Sequence, residues 1–288
     1  MNKYFRLLFM LRIHPTTWLI MAIAILTAHV YELLMLLTVV LIHEMGHACA
    51  ATYYKWRIKS ITLLPFGGVL DTEEHGNRPL KEDLMVILFG PLQHLSLFLL
   101  VYLAHMAGLM DYETYITLLY INSTVCLFNL LPVWPLDGGK LLFLLFSLRY
   151  SFLKSHLLTL HFSILFAFAL FLSCILFGQL SLNIILILCF ICFAIVMEWR
   201  QRQYVFMRFL LERHYGKHNE MHRLISLTVD EDETVHEILQ LFQRGCKHPI
   251  IVMKNGKERG MLDENEVLHA YFSEKMTGVK IGDLLYSY

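Results

Sequence analysis

Charged residues are scarce in this chain, and its hydrophobic runs are correspondingly long. Asp, Glu, Lys and Arg make up 17% of the 288 residues, whereas 57% are hydrophobic and the mean hydropathy is +0.53. Since soluble domains usually carry about 25% charged residues, this composition excludes an ordinary soluble protein. The formal net charge is zero, so no excess of positive charge would attract nucleic acid. No small-residue cleavage site follows the first apolar stretch, which we therefore expect to be retained as a membrane segment.

Lys and Arg are missing from three long intervals, residues 13–54, 82–139 and 155–199. Each interval is long enough for two membrane crossings of about 20 residues apiece. Basic residues gather on one side of the three resulting hairpins, so the positive-inside rule predicts a multi-pass membrane protein with both termini in the cytoplasm. The predicted fold class is a membrane all-α protein with six transmembrane helices, near residues 15–30, 32–54, 83–107, 114–131, 154–177 and 180–198.

Two segments rich in Pro and Gly interrupt this helical pattern. Residues 57–70 alternate in polarity before Pro65 and then carry Gly67 and Gly68, which predicts a short membrane-associated β-hairpin. Residues 129–140 place two prolines and two glycines after an apolar helix and must break it. Non-helical backbone at membrane depth is tolerated only where protein or a watery cavity satisfies its hydrogen bonds. The second interruption therefore indicates a cavity.

The composition changes after Trp199. Residues 200–220 begin with basic and aromatic side chains, which predicts an amphipathic linker along the inner leaflet. Residues 221–288 show alternating strand and helix patterns, which predicts a small α/β module. A module of about 65 residues is near the lower limit for an independent domain, so we expect it to pair with a second copy. The predicted domains are a transmembrane domain over 1–199, the linker over 200–220 and the module over 221–288.

The motif His43-Glu44-x-x-His47 lies in the middle of an apolar run. On a helix this spacing puts two imidazoles one turn apart on one face, which suits a zinc ion. The Glu between them is placed to move the proton of an activated water. Three such polar residues are costly inside a bilayer unless they line a hydrated, functional cavity. The sequence therefore predicts hydrolysis within a membrane, with Glu44 as the catalytic base and acid.

A catalytic zinc needs a third protein ligand besides two histidines. Asp137 is our candidate, because Pro135 before it and the Gly138–Gly139 pair after it would hold its carboxylate rigidly at the cavity wall. The alternative role for Asp137 is the N-cap of the helix that follows. Glu73 and Glu74 are weaker candidates, since their neighbours resemble a solvated loop.

Other residues are candidates for contact with a peptide substrate. The strands around residues 58–70 could accept an extended peptide by edge pairing, or could form a purely structural hairpin. Asn129 could hydrogen-bond a substrate backbone, or could make an interhelical contact. His94 follows Gly90-Pro91 and could face the cavity, although packing is the simpler interpretation of a lone helical histidine.

With these motifs in place, the chain resembles the site-two protease family of intramembrane zinc metalloproteases. The resemblance rests on the H-E-x-x-H motif, on Asn129-x-x-Pro132-x-x-Pro135-x-Asp137-Gly138, and on the Pro65-Phe66-Gly67-Gly68 stretch between them. It implies that the two histidines and the aspartate bind Zn²⁺ and that the glutamate activates water. It also implies that Asn129 and the prolines after it help to seat the substrate. With the hairpin hypothesis added, the predicted substrate-binding set is Asn129, Pro135, Phe66 and Gly67.

The C-terminal module resembles a single CBS domain, a fold that in many proteins binds adenine nucleotides and forms pairs. Membrane metalloproteases with one such domain form a subgroup, and the chain resembles its sporulation proteases. That resemblance implies a membrane-tethered sigma-factor precursor as substrate, inhibition by partner membrane proteins, and a response to ATP at the CBS domain. Pairing of the CBS domains would make the protein a homo-oligomer.

Two other functions compete with proteolysis. His43, His47 and Asp137 could be the transit site of a metal or ion transporter, although transporters are usually built from inverted repeats and the sequence shows no internal repeat. The chain could also be a catalytically silent scaffold whose CBS domain senses nucleotide. Changing Glu44 to Gln separates the three hypotheses, since a protease would lose turnover, a transporter could keep its flux, and a scaffold would be unaffected.

Overall fold

The computed structural model describes residues 3–64, 67–74, 76, 78–178, 181–216 and 223–285. Within these residues the chain is largely helical and carries two small three-stranded sheets. The helices are α1 (Phe5–Leu8), α2 (Pro15–Leu26), α3 (Val30–Tyr53), α4 (Leu80–Met106), α5 (Tyr112–Asn129), α6 (Asp137–Ser147), α7 (Phe152–Leu176), α8 (Leu182–Tyr215), α9 (Val235–Leu239), α10 (Glu264–Phe272) and α11 (Ile281–Leu284). The strands are β1 (Leu11–Ile13), β2 (Ile58–Leu64), β3 (Gly67–Thr72), β4 (Leu227–Asp230), β5 (Ile250–Lys254) and β6 (Lys257–Leu262).

The six helices predicted from the intervals without Lys and Arg are present as α2, α3, α4, α5, α7 and α8. Among the described residues, α3, α4, α7 and α8 are long and apolar enough to cross a bilayer. The 12 residues of α2 span about 18 Å, which is less than the hydrocarbon core of about 30 Å. The four long apolar helices make the chain an integral membrane protein. Helix length and composition thus support four crossings, whereas the sequence predicted six.

Helix α8 continues beyond the point where the sequence analysis ended it. The predicted helix stopped at residue 198 and gave way to a separate amphipathic segment, whereas α8 runs without interruption to Tyr215. The physical reason is that composition changes at Trp199 but helix propensity does not. Neither Pro nor Gly occurs between Leu182 and Tyr215, and Gly216 follows directly.

The predicted β-hairpin is present, and it has a third strand. β2 and β3 pair antiparallel, with Leu64 opposite Gly67. β1, which the sequence pattern did not indicate, pairs in parallel with β2 and places Leu11 opposite Ile61. In the strand order β1-β2-β3, β2 is the central strand and is paired on both edges. β3 therefore lies at an edge of the described sheet.

The predicted break before Asp137 is also present. α5 ends at Asn129 and α6 begins at Asp137, with a loop between them. A Cβ atom built on Gly138 would overlap the carbonyl groups of Leu130 and Leu131. Glycine is required there because the loop lies directly on the first turn of α6. This close packing holds the first turn of α6, which begins with Asp137, against the loop.

The contacts divide the chain into two compact units, residues 1–74 with 81–141 and residues 75–80 with 142–288. The first unit contains α2, α3, α5, nearly all of α4, and the sheet β1-β2-β3. The second unit contains α7, α8 and the C-terminal module. The domain boundaries near residues 199 and 220 were drawn from composition and stay predictions.

Within the second unit, the C-terminal module contains β4, α9, β5, β6, α10 and α11 in this order, as expected for a small α/β module. β4 pairs in parallel with β5, and β5 pairs antiparallel with β6. Capping boxes begin α9 at Thr234 and α10 at Asp263, which satisfies the first amide groups of each helix. Arg213 near the end of α8 donates to the buried carboxylate of Glu264, with 2.8 Å between Nη2 and Oε2. This buried ion pair ties α8 to the module.

Candidate metal centre

Helix α3 brings the three residues of the H-E-x-x-H motif to one buried place. His43, Glu44 and His47 are only 2%, 4% and 4% exposed. The two histidines lie one helical turn apart, and their Nε2 atoms are 3.1 Å from each other. One donor atom from each of the three residues lies within 4.8 Å of the other two. The motif therefore forms the cluster that its spacing predicts.

The structure adds Asp137 to this cluster, from 90 residues further along the chain. Its Oδ2 atom lies 3.0 Å from Nε2 of His43 and 3.0 Å from Nε2 of His47. Asp137 is the first residue of α6 and is 2% exposed. Two imidazole nitrogens and one carboxylate oxygen thus converge from α3 and α6 on a single point.

These three atoms fit a catalytic zinc ion. Tetrahedral coordination with zinc–nitrogen bonds of about 2.0–2.1 Å separates neighbouring ligand atoms by about 3.3 Å. The observed separations of 3.0 to 3.1 Å are close to that value. Two histidines and a carboxylate are also a known donor set of zinc hydrolases, and three protein ligands leave a fourth position for water.

His47 is oriented by a backbone carbonyl. Its Nδ1 atom lies 2.7 Å from the carbonyl oxygen of Val86 on α4. A carbonyl only accepts, so Nδ1 carries the ring proton and donates it. The Nε2 lone pair then faces the convergence point. A Cβ atom built on Gly90 would overlap the His47 ring, so glycine lets α4 approach this closely.

His43 is held by His94, for which the sequence left open both a packing role and a position facing the cavity. His43 Nδ1 lies 3.0 Å from Nε2 of His94 on α4. His94 Nδ1 lies 2.7 Å from Oδ1 of Asn122 on α5, and Asn122 Nδ2 donates to the His94 carbonyl oxygen at 3.1 Å. Both His94 and Asn122 are 1% exposed. Sequence reasoning gave Asn122 no role, because a lone Asn in an apolar helix has no distinguishing spacing.

The remaining oxygen of Asp137 is bound by a lysine. Lys140 Nζ donates to Asp137 Oδ1 at 3.1 Å, while Oδ2 faces the two histidines. Residues three apart on a helix are neighbours, so this pair follows from the Asp137-x-x-Lys140 spacing. This spacing is visible in the sequence and could have predicted the contact between Lys140 and Asp137.

Strand β3 passes directly over Glu44. A Cβ atom built on Gly68 would overlap Cγ, Cδ and Oε1 of Glu44, whereas one built on Gly67 would meet open space. The paired glycines of the hairpin therefore differ in role. Gly68 is needed for the close approach of β3 to the Glu44 carboxylate, and Gly67 is not.

The substrate candidates among the described residues lie at the end of α5, in the loop before α6 and at the start of β3. Asn129 ends α5, and its Nδ2 donates to the Val125 carbonyl one turn back on the same helix at 3.1 Å. Pro135 is exposed in the loop before α6, after a cis peptide bond. Gly67 begins β3. Phe66 lies outside the described residues.

Glu73 and Glu74, the weaker candidates for the third ligand, follow β3 and approach a different residue. Glu73 Oε2 lies 3.0 Å from Arg57 Nη1, and Glu74 Oε1 lies 3.9 Å from Arg57 Nε. The position that they could have filled is occupied by Asp137.

Comparison with known proteins places this centre in context. The model for peptidase family M50 matches residues 31–110 and 106–172, which include all the converging residues. The chain is similar to stage IV sporulation protein FB of Bacillus subtilis, with 46% identity over 290 residues that cover the full length of both chains. It is also similar to a zinc metalloprotease of Methanocaldococcus jannaschii, with 34% identity over 160 residues, which is 54% of this chain and 44% of that protein.

A solved structure is similar as well. The site-2 protease from Methanocaldococcus jannaschii superposes with a TM-score of 0.53 and 27% identity. The match covers 65% of this chain and 89% of that one. The resemblance deduced from the motifs is therefore confirmed both by sequence and by fold.

Proposed function

This chain belongs to peptidase family M50, the site-2 proteases, and from that premise we propose that it cleaves a membrane-tethered protein at a zinc ion held by His43, His47 and Asp137. The chain is an integral membrane protein and a zinc metalloprotease. Family membership thus favours hydrolysis over the competing hypotheses of transport and of a silent scaffold. The observation that carries the proposal is the convergence of the three donor atoms, 3.0 to 3.1 Å apart, beside the Glu44 carboxylate.

Each residue has a distinct task in the proposed reaction. A zinc ion bound there supplies a Lewis acid that lowers the pKa of water and polarises a carbonyl group. Glu44, next to the ligands, accepts the proton of the attacking water and later gives it to the leaving amine. Because Glu44 is almost fully buried beneath β3, its carboxylate is held in place and largely shielded from bulk water.

The substrate is proposed to enter as an extended strand beside β3. Helical backbone is shielded by its own hydrogen bonds, so a membrane helix has to unwind before it can be cut. β3 has one free edge in the described sheet and passes over Glu44, so a strand added at that edge would lie near the carboxylate. Gly67, Asn129, Pro135 and Phe66 remain proposed substrate contacts along this path.

Gly68 provides a test of this arrangement. Gly68→Ala should lower turnover by about 100-fold, because the added methyl group displaces the Glu44 carboxylate and misplacement of about 1 Å costs that much. Zinc content should be unchanged. Gly278→Ala is the control and should keep the wild-type rate, since its methyl group meets open space and Gly278 lies in the C-terminal module, outside the metal centre and the proposed substrate path. Equal losses in the two variants, measured as the rate of fragment release, would argue against the contact.

The proposed natural substrate is a sigma-factor precursor tethered to the membrane during sporulation, with membrane partner proteins as inhibitors. Support comes from the full-length similarity to a sporulation protein and from the subgroup resemblance. The test is reconstitution of the purified full chain with the tethered precursor in vesicles. Release of a soluble sigma-factor fragment is expected, and an intact precursor after prolonged incubation with zinc-loaded enzyme would contradict this assignment.

We propose that the C-terminal module is a CBS domain that pairs with a second copy and binds ATP. The support is the resemblance of residues 221–288 to a CBS domain, together with the α/β order of β4, α9, β5, β6, α10 and α11. Calorimetric titration of the full chain with ATP should show saturable binding. Flat heats up to millimolar ATP would leave the module with a structural role only.

Both termini are proposed to lie in the cytoplasm. The support is the distribution of Lys and Arg, which gather on one side of the hydrophobic hairpins. A reporter enzyme that is active only in the cytoplasm, fused after Tyr288, should be active, and an inactive but stable fusion would reverse the orientation.

A further inference from the structure

We propose that His94 and Asn122 form a hydrogen-bonded relay that sets the tautomer and orientation of His43, and thereby tunes the affinity of the metal centre. The inference rests on the proposed function, since it takes His43 to be a zinc ligand. Neither residue belongs to the H-E-x-x-H motif or to the segment around Asp137. They are positioning residues, because they act on the metal through His43.

The relay begins at Asn122, whose amide orientation is determined by its two contacts. Asn122 Nδ2 lies 3.1 Å from the His94 carbonyl oxygen, which only accepts, so the NH₂ group faces that carbonyl. Asn122 Oδ1 therefore faces His94 Nδ1, at 2.7 Å. An amide oxygen only accepts, and His94 Nδ1 must donate to it.

The proton position on His94 then determines the proton position on His43. A neutral imidazole that donates from Nδ1 has an unprotonated Nε2. His94 Nε2 is consequently the acceptor of the 3.0 Å contact, and His43 Nδ1 is the donor. With its proton on Nδ1, His43 presents the Nε2 lone pair to the point where Asp137 Oδ2 also lies, 3.0 Å away. The opposite tautomer would put a proton where a metal has to bind.

His47 shows what the relay accomplishes for His43. The carbonyl of Val86 performs the same task for His47 in one step, at 2.7 Å from Nδ1. His43 Nδ1 meets the side chain of His94 instead of a carbonyl group, and His94 in turn meets Asn122 on α5. The two ligands are thus oriented by different means, one by backbone and the other by two side chains that mutation can remove.

The surroundings of the relay strengthen it. Val39, Val40, Leu97, Val101 and Val125, from α3, α4 and α5, form an apolar cluster in the same three helices. Hydrogen bonds in such surroundings are stronger than in water, and unpaired polar groups there are costly. The ring nitrogens of His94 and the side-chain amide of Asn122 all have partners.

The test is the zinc affinity of His94→Phe, measured by competition with a chromophoric chelator on the full chain in detergent. Phe keeps most of the ring volume and removes the acceptor for His43 Nδ1. Loss of such an outer hydrogen bond lowers metal affinity by about 10- to 100-fold, which is the expected result. The visible spectrum of the cobalt(II)-substituted variant should also change, because it reports ligand geometry and not fold stability.

His105→Phe is the matched control, since it makes the same change on the same helix. His105 stacks on Tyr115 with ring centroids 4.4 Å apart, and Phe preserves that stacking. The control should bind zinc with wild-type affinity and give the wild-type cobalt spectrum. Wild-type affinity and spectrum in His94→Phe, or an equal loss in His105→Phe, would overturn the proposal.

Asn122→Leu tests whether the pair acts as one chain. It should weaken zinc binding in the same direction, and the double variant should lose no more than His94→Phe alone, because Asn122 acts through His94. Additive losses in this double-mutant cycle would overturn the relay.

His94→Gln is a second variant of the same residue, which tests the relay if His94→Phe does not fold. The Gln amide oxygen can accept from His43 Nδ1, so zinc affinity should stay closer to wild type in His94→Gln than in Asn122→Leu. The reverse order would contradict the relay. A wild-type protein that binds no zinc would overturn the proposed function itself, whereas unchanged zinc binding in the variants overturns only this inference.

Discussion

Glu44→Gln is expected to abolish cleavage while zinc stays bound. Gln has the size of Glu but cannot take a proton from water, so the reaction loses its base and its acid together. Such groups contribute about 10²- to 10⁴-fold to turnover. Zinc should remain because its three proposed ligands, with donor atoms 3.0 to 3.1 Å apart, do not include Glu44. The measurement is the single-turnover rate of fragment release, together with the zinc content of the same preparation.

Glu32→Gln is the matched control for this variant. Glu32 lies in the first turn of the same helix, α3, and is exposed. Its replacement should leave turnover unchanged. If Glu44→Gln still releases the fragment at a rate near that of the wild type, another group handles the proton and the proposed mechanism is wrong.

Asp137→Ala is expected to remove both zinc and activity. The change leaves only the two imidazoles, whereas a stable catalytic zinc site uses three protein ligands. Loss of an outer hydrogen bond to a ligand costs about 10- to 100-fold in affinity, so loss of the ligand itself should cost more than about 100-fold. Chelator competition measures the affinity, and fragment release measures the activity.

Asp137→Asn separates ligation from helix capping, which was the alternative role for this residue. Asn caps helices about as well as Asp does, but it lacks the negative charge that favours zinc binding. If Asp137 is a ligand, Asn should fail to restore the zinc affinity of wild type. Asp111→Ala serves as a control, because Asp111 caps α5 by accepting from the Thr114 amide at 3.0 Å and lies outside the metal centre. Full zinc binding in Asp137→Asn would assign the residue to capping alone.

The sequence predicted those parts of the centre that depend on short-range spacing. His43 and His47 are one turn apart on any helix, and the prolines before Asp137, Pro132 and Pro135, break any helix. Asp137 could be joined to the histidines because an unpaired H-E-x-x-H motif in a bilayer requires a further ligand. The hairpin of β2 and β3 also followed from local pattern, since alternation and paired glycines lie within a few residues of each other.

The parts that sequence reasoning missed depend on how distant segments meet. His94 reaches His43, and Asn122 reaches His94, only at one rotation of α4 and α5 about their axes. Helices that are apolar on nearly every side carry no periodicity that fixes this rotation. β1 was missed for a similar reason, because three residues become a strand only when Leu11 meets Ile61, 50 positions away.

The continuation of α8 across Trp199 shows a different limit. Composition marks where a chain leaves the lipid, but it does not mark where a helix ends. Helix ends are set by residues such as Gly216, which lies at the end of the observed helix. A boundary drawn from charge therefore fell in the middle of a helix.

The measurement that tests the central claim most directly is the zinc content of the purified, active wild-type chain. Elemental analysis should find one zinc ion per chain. Removal of the metal by a strong chelator should stop fragment release, and added zinc should restore it. A preparation that remains fully active after its metal has been removed would contradict the assignment of His43, His47 and Asp137 to a catalytic zinc.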